Sequence, residues 1–212
     1  MKRQRYLEKR QEKRILEKAR KKAKRDEIRK TGGDLAPRRG PITLMSESTC
    51  EQRIAIDLCY ESKMNERQIK SIITQLSFCY AANRRVRNPS QLYFLSFGGV
   101  TRGMFNSNPT YSNWDIHFET KSLCEVFKKD DIVYLTADSE NILENLDSSR
   151  VYVIGGLLDH NSLKGYCLNE ANEMGVAHAR LPIDDFFFII CYCCCYVLFI
   201  IIIYYYCCYY LL

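Results

Sequence analysis

The 212-residue chain predicts an α/β fold, a parallel sheet covered by helices. Three observations lead there. Short β-branched runs alternate with helix-period stretches from residue 53 to residue 182, the order that builds parallel sheets. One run, Val151-Tyr152-Val153-Ile154, passes directly into Gly155-Gly156 and then Asp159. In open α/β sheets ligands bind just outside such carboxyl ends. Finally, charge is segregated. Residues 1–40 hold 17 Lys/Arg against 6 Asp/Glu, while the remaining residues hold 14 against 19. The basic character therefore belongs to an arm, and such asymmetry suits a polyanionic partner.

Residues 1–30 lack Pro and Gly, and Glu and Lys/Arg recur three or four positions apart. The spacing predicts a solvent-exposed, frayed helix with too few apolar residues to bury a face. Neutralising phosphates would order it, with Lys21, Lys22, Lys24 and Arg25 as RNA contacts. A merely solubilising or nuclear-import segment is the plainer reading. Residues 31–52, with Gly32, Gly33, Pro37, Gly40 and Pro41, read as a flexible linker.

The domain opens with a strand over residues 53–58, in which Asp57 is a ligand contact or a turn carboxylate. Asn65 and Gln68 have capping-box spacing, and Ile69, Ile72, Ile73 and Leu76 give a helical apolar stripe. Arg84, Arg85 and Arg87 close that helix, favouring its dipole or holding a phosphate, before Asn88-Pro89 stops it. Residues 91–97 form the second strand. Residues 98–109 lack the Lys-Ser/Thr of a phosphate-binding loop and read as a mobile glycine-rich loop offering Arg102 to RNA. A short helix follows near residues 121–127, then a third strand over 132–136. Asp138 or Ser139 is expected to cap a helix over 140–146. The fourth strand spans 151–156, with its glycines expected to turn at positive φ and to let another group approach the main chain closely. A helix over roughly 163–174, a C-cap at Gly175 and a fifth strand over 177–181 complete the order. The Gly-Gly-Asp exit reads as a binding edge or as a tight turn with a capping carboxylate.

Of eleven cysteines, the five scattered ones, Cys50, Cys59, Cys79, Cys124 and Cys167, show no CxxC pair and no His at metal-ligand spacing, so no metal is expected, and the body reads as intracellular with reduced thiols. Six of the cysteines fall in the last 22 residues, inside an uncharged run from Phe186 to Leu212. That run is long enough to span a bilayer but uses few residue types and has no flanking Lys/Arg. Read-through or frame-shifted sequence explains it better than a membrane anchor.

Several blocks in order resemble the tRNA position-9 purine N1-methyltransferases, the monomeric branch of the SPOUT superfamily. They are Cys79 to Arg85, Ser96 to Gly99, Asp131 to Ser139, Tyr152 to Asn161 and Ala179 to Ile183. The resemblance implies a trefoil-knot fold and methyl transfer from S-adenosylmethionine to N1 of a purine, usually guanine, in tRNA. It implies Asp159 as general base, and Leu135, Thr136, Gly156, His160, Asn161, Lys164, Leu168 and Leu181 around the cofactor. It also implies a monomer in the nucleus or cytoplasm, with tRNA as partner. The family continues past Ile183 with residues that close the knot. Because composition changes at Phe186, the knot is expected to be incomplete and cofactor affinity poor. The alternatives are a non-catalytic tRNA-binding protein and a tail-anchored membrane protein.

Overall fold

The computed structural model describes residues 2–30, 43–158 and 163–182. Two units separate at residues 40 and 41. The first holds one continuous helix, α1 (Lys2–Lys30), about 43 Å long at about 1.5 Å per residue. Ile15 and Leu16 on it are exposed.

The second unit is a six-stranded parallel sheet in the order β3-β2-β1-β5-β4-β6. Its strands are β1 (Arg53–Asp57), β2 (Gln91–Leu95), β3 (His117–Phe118), β4 (Ile132–Leu135), β5 (Val151–Gly155) and β6 (Ala177–Ala179). Both faces are covered, so the central strands are apolar on both sides, with successive residues facing opposite layers. Tyr152 and Ile154 of β5 join Ile54, Ile56, Leu92 and Phe94 beneath α2 (Glu66–Asn83) and α3 (Gly99–Asn106). Val151 and Val153 join Ala55, Leu95 and Tyr134 on the opposite side. There Leu123 of α4 (Leu123–Val126) and Ala171 of α5 (Tyr166–Met174) close the core.

Two local signals hold as the sequence carries them. Asn65 and Gln68 form the expected reciprocal capping box on α2. Gly175 ends α5 at φ 68°, the left-handed conformation glycine tolerates. The α2 helix stops at Asn83, short of Pro89. The Asn83 side chain exchanges two hydrogen bonds with the Ser90 main chain, at 2.8 and 2.9 Å, and so turns the chain early. Arg84 is consequently the C-cap, and Arg85 and Arg87 lie beyond the helix.

Three expectations are corrected. The glycine-rich stretch after β2 forms α3 rather than an open loop. The Glu61 carboxylate binds the N–H groups of Val100 and Thr101, at 2.9 and 2.8 Å, and supplies the missing cap. No helix forms over 140–146. Its main chain pairs with the residues after β6 instead, through Leu143 N–H to the Arg180 carbonyl and Arg180 N–H to the Asn141 carbonyl. The sheet also has a strand the sequence did not announce. β3 is two residues long, too short for a period-2 pattern to show.

Met45 is buried against the sheet and its carbonyl accepts from Gln91 Nε2. Cys50 and Gln52 are buried too, so the stretch before β1 packs on the domain. The whole uncharged run, and with it the question of the knot, lies outside the described residues. Among the described residues no helix is long and apolar enough to cross a membrane.

Candidate active site at the carboxyl edge of the sheet

With all strands parallel, every carboxyl end lies on one edge. The connection leaving β1 runs to β2, and the one leaving β5 runs to β6 on the other side. The crevice between β1 and β5 is therefore the switch point, where ligands bind in such sheets. Asp57 stands at one lip and Gly155-Gly156 at the other.

Both glycines are needed there, for close approach rather than for a positive φ. Neither has a positive φ. A Cβ on Gly156 would lie 2.7 Å from Leu58 Cδ2 and 2.8 Å from the Asp57 carbonyl oxygen. Gly156 N–H also donates to that carbonyl, at 2.7 Å. Close approach is thus to the neighbouring strand's exit. A Cβ on Gly155 would meet Cys167 Sγ at 2.8 Å and the Tyr134 hydroxyl at 3.0 Å. Under this glycine the Tyr60 and Tyr134 hydroxyls share a 2.6 Å hydrogen bond, and burial pushes both phenols up.

Asp57 is buried, and both of its carboxylate oxygens are used. Oδ1 accepts from Cys59 N–H and Ser96 Oγ, and Oδ2 accepts from Cys59 Sγ. Burial raises its pKa, and the hydrogen bonds from Cys59 and Ser96 offset this only in part. Ser96 adopts φ 52°, a left-handed conformation that strains a residue with a Cβ. Its hydroxyl thereby reaches the buried carboxylate. Nothing in a lone serine after a strand signals this.

The exits of β4, β5 and β6 are tied together. Leu135, Leu158, Ala179 and Leu181 are buried in one apolar cluster. Thr136 N–H donates to the Ala179 carbonyl at 3.0 Å. Asp138, expected to cap a helix, accepts instead from Gly165 N–H at 2.9 Å and so anchors the chain entering α5. Ser139 Oγ pairs with His178 Nδ1 at 2.9 Å. Lys164 is exposed and Leu168 is half-buried.

Asp159, His160 and Asn161 lie outside the described residues, but the chain on either side of them is held. On the entering side, Gln68 Nε2 donates to the Leu158 carbonyl at 2.6 Å. Gln68 Oε1 meanwhile accepts from Asn65 N–H, so one side chain links the α2 cap to the loop. On the leaving side stands the Asp138–Gly165 bond. The capping-box spacing revealed Gln68, but not this second contact.

The basic residues divide between the units. Lys21, Lys22, Lys24 and Arg25 lie on α1, where the Lys22 side chain is exposed and the other three side chains are outside the description. In the second unit Arg85, Arg87 and Arg102 are exposed, and Arg84 lies over the Tyr80 ring at 5.8 Å. Among the described residues no group of three or more His, Cys, Asp or Glu could hold a metal ion.

Comparison with known proteins gives a consistent result. tRNA methyltransferase 10 homolog A of Rattus norvegicus is 43% identical over 136 residues, covering 63% of this chain and 41% of that protein. The Homo sapiens protein of the same name is 43% identical over 136 residues, covering 63% and 40%. The tRNA (guanine(9)-N1)-methyltransferase of Schizosaccharomyces pombe is 38% identical over 139 residues, covering 63% and 46%. The chain thus spans about two fifths of the length of the curated relatives it matches. The crystal structure of full-length spTrm10 in complex with SAH is similar at a TM-score of 0.66 and 33% identity, covering 72% of this chain and 86% of that one. A match to the family model for tRNA (guanine(9)-N(1))-methyltransferase TRM10/TRM10A extends over residues 1–190, and the chain belongs to that family.

Proposed function

We propose that the protein transfers a methyl group from S-adenosylmethionine to N1 of a purine, guanine foremost, at tRNA position 9. The observation that carries this reading is the carboxyl edge itself. There the switch point between β1 and β5 adjoins the apolar cluster of Leu135, Leu158 and Leu181.

The described residues fit an adenosyl thioether by their chemistry. Buried leucines at the ends of β4, β5 and β6 suit its apolar parts, and Thr136 adds a hydroxyl beside them. Leu135, Thr136, Gly156, Lys164, Leu168 and Leu181 would hold it, with His160 and Asn161 from the adjoining loop. Bound there, the cofactor supplies an electrophilic methyl group. Guanine N1 carries a proton at neutral pH, and Asp159 accepts it as N1 gains the methyl. An unperturbed aspartate, with a pKa of about 3.9, is a weak base for this task. Its loop must therefore exclude water and place the carboxylate within hydrogen-bond reach. Gln68 and Asp138 serve that end by fixing the two flanks of the loop.

A basic helix and exposed arginines suit tRNA, on which the protein acts as a monomer in the nucleus or cytoplasm. Labelled methyl transfer to unmodified tRNA transcripts tests the reaction. Asp159→Asn is expected to slow it by about 10²–10⁴-fold while leaving tRNA affinity unchanged. Retained activity in that variant removes the base assignment.

The composition change at Phe186 favours a second reading, a tRNA-binding protein without catalysis. Calorimetric titration with S-adenosylmethionine separates the two. Micromolar affinity supports the enzyme, and no binding alongside intact tRNA affinity supports the second reading.

A further inference from the structure

A cleft of about 270 Å³ opens beside α3, away from the β1–β5 crevice. Its walls are the rings of Phe105, Tyr111 and Phe118, and its rim carries Arg102, Asn106 and Ser112. Phe105 is buried and forms the floor, with Tyr111 at 4.7 Å and Phe118 at 5.5 Å between ring centroids. Tyr111 and Phe118 are only half-buried, and each keeps ring surface for a visitor. Arg102 is exposed, and among the described residues no carboxylate pairs with it. Drug-sized ligands occupy about 300–1,000 Å³, so this cleft suits a single flat ring system. Aromatic walls, hydrogen-bonding groups at the rim and one unpaired arginine match an unstacked base and its phosphate.

Its position narrows the choice further. Phe118 ends β3, so the cleft lies on the same carboxyl edge as the candidate active site. Neighbouring strands lie about 4.8 Å apart, and β2 is separated from β5 by β1 alone, which puts the cleft roughly 10–15 Å along the edge from the β5 exit. That is too far to hold the reacting base, yet near enough for its neighbours in the RNA.

We propose that this cleft holds one unstacked nucleobase of the RNA substrate, adjacent to the base that is methylated, with the Arg102 guanidinium on the adjoining phosphate. The proposal rests on the tRNA reading above and gives the protein a means of sensing the nucleotide beside its target.

Trp114, the chain's one tryptophan, is a built-in reporter because its ring lies 4.5 Å from Tyr111. Titrating the 212-residue chain with an unmodified tRNA transcript is expected to change Trp114 fluorescence. Tyr111→Ala and Arg102→Glu, checked for folding by thermal unfolding, are expected to weaken affinity about tenfold, within the range for a lost base stack or phosphate contact. Two transcripts with an abasic nucleotide on one or the other side of the target purine complete the test. One of them loses about tenfold with the parent chain and nothing further with Tyr111→Ala. Equal affinity of parent and both variants, or an abasic penalty undiminished in Tyr111→Ala, overturns the proposal. Absence of methyl transfer with the fluorescence change and abasic penalty intact sinks the enzymatic reading and leaves the cleft. Intact transfer with indifferent variants does the reverse. A parent chain with no RNA affinity overturns both.

Discussion

Gly155 and Gly156 show how one residue type can serve two different neighbours. At Gly156 the added methyl would strike a main-chain carbonyl, which cannot move without shifting the exit of β1. At Gly155 the nearest atom is the Cys167 sulfur, the end of a side chain that can rotate. Gly156→Ala is therefore expected to cost about 1–3 kcal/mol, the range for forced overpacking, and Gly155→Ala less. Urea unfolding midpoints check the order. Equal costs would mean that β1 and β5 separate freely at their ends. The sequence singled out the right pair of glycines and their close approach but not the groups that approach, because these come from β1's exit about 100 positions earlier at Gly156 and from Cys167 and Tyr134 at Gly155. Asp57 teaches the same lesson. From the sequence it was a ligand contact or a turn carboxylate; Cys59, two residues on, engages both of its oxygens as a turn would, but the third donor, Ser96 just past β2, comes from far along the chain.

Among elements, α3 departs furthest from expectation. Its sequence starts with two glycines and offers no capping side chain, so propensity argues against a helix. Glu61, 38 positions before Gly99, supplies the cap from the turn after β1. Burial opposes ionisation of Glu61, but the N–H groups of Thr101 and Val100 outweigh it and hold the carboxyl below its ordinary pKa. A carboxyl depressed in the folded state adds stability above its unfolded pKa of about 4.3, and that stability is lost as pH falls through the folded value. Glu61→Gln is accordingly expected to destabilise by about 0.3–1 kcal/mol near neutral pH, the usual worth of a charge at a helix N-terminus. The difference from the parent should vanish in acid below that range. Denaturant midpoints at the two pH values decide it, and a pH-independent difference would show that the charge does not matter. The start of α2 and the end of α5 needed no such help. Their signals, the Asn65–Gln68 box and Gly175, lie inside or next to the helix itself.

For the whole molecule, the relevant quantity is the split of charge between arm and domain. An acidic-leaning domain carrying a strongly basic helix is expected to bind polyanions chiefly through the arm. The affinity for tRNA is expected to fall linearly with the logarithm of salt concentration. Replacing Lys21, Lys22, Lys24 and Arg25 together by Ala should lower the slope by up to about 3, at about 0.7–0.9 per phosphate neutralised. Filter-binding isotherms across a salt series measure it, and an unchanged slope would remove the arm from the interface.

Much of this protein was already determined by the order of its residues: the parallel α/β class, five of six strands, the long N-terminal helix, the α2 cap and the glycine-marked edge. Each depends on neighbours a few positions apart, where period, capping and turn chemistry act. The tertiary structure alone decided the sixth strand, the helix at α3, the loss of a helix after β4, and the contacts that Gln68, Asp138 and Ser96 make around the crevice. In every one of these a group far along the chain satisfies a main-chain or carboxylate partner that local sequence leaves open, and such pairings exist only once the sheet has brought the strand ends together.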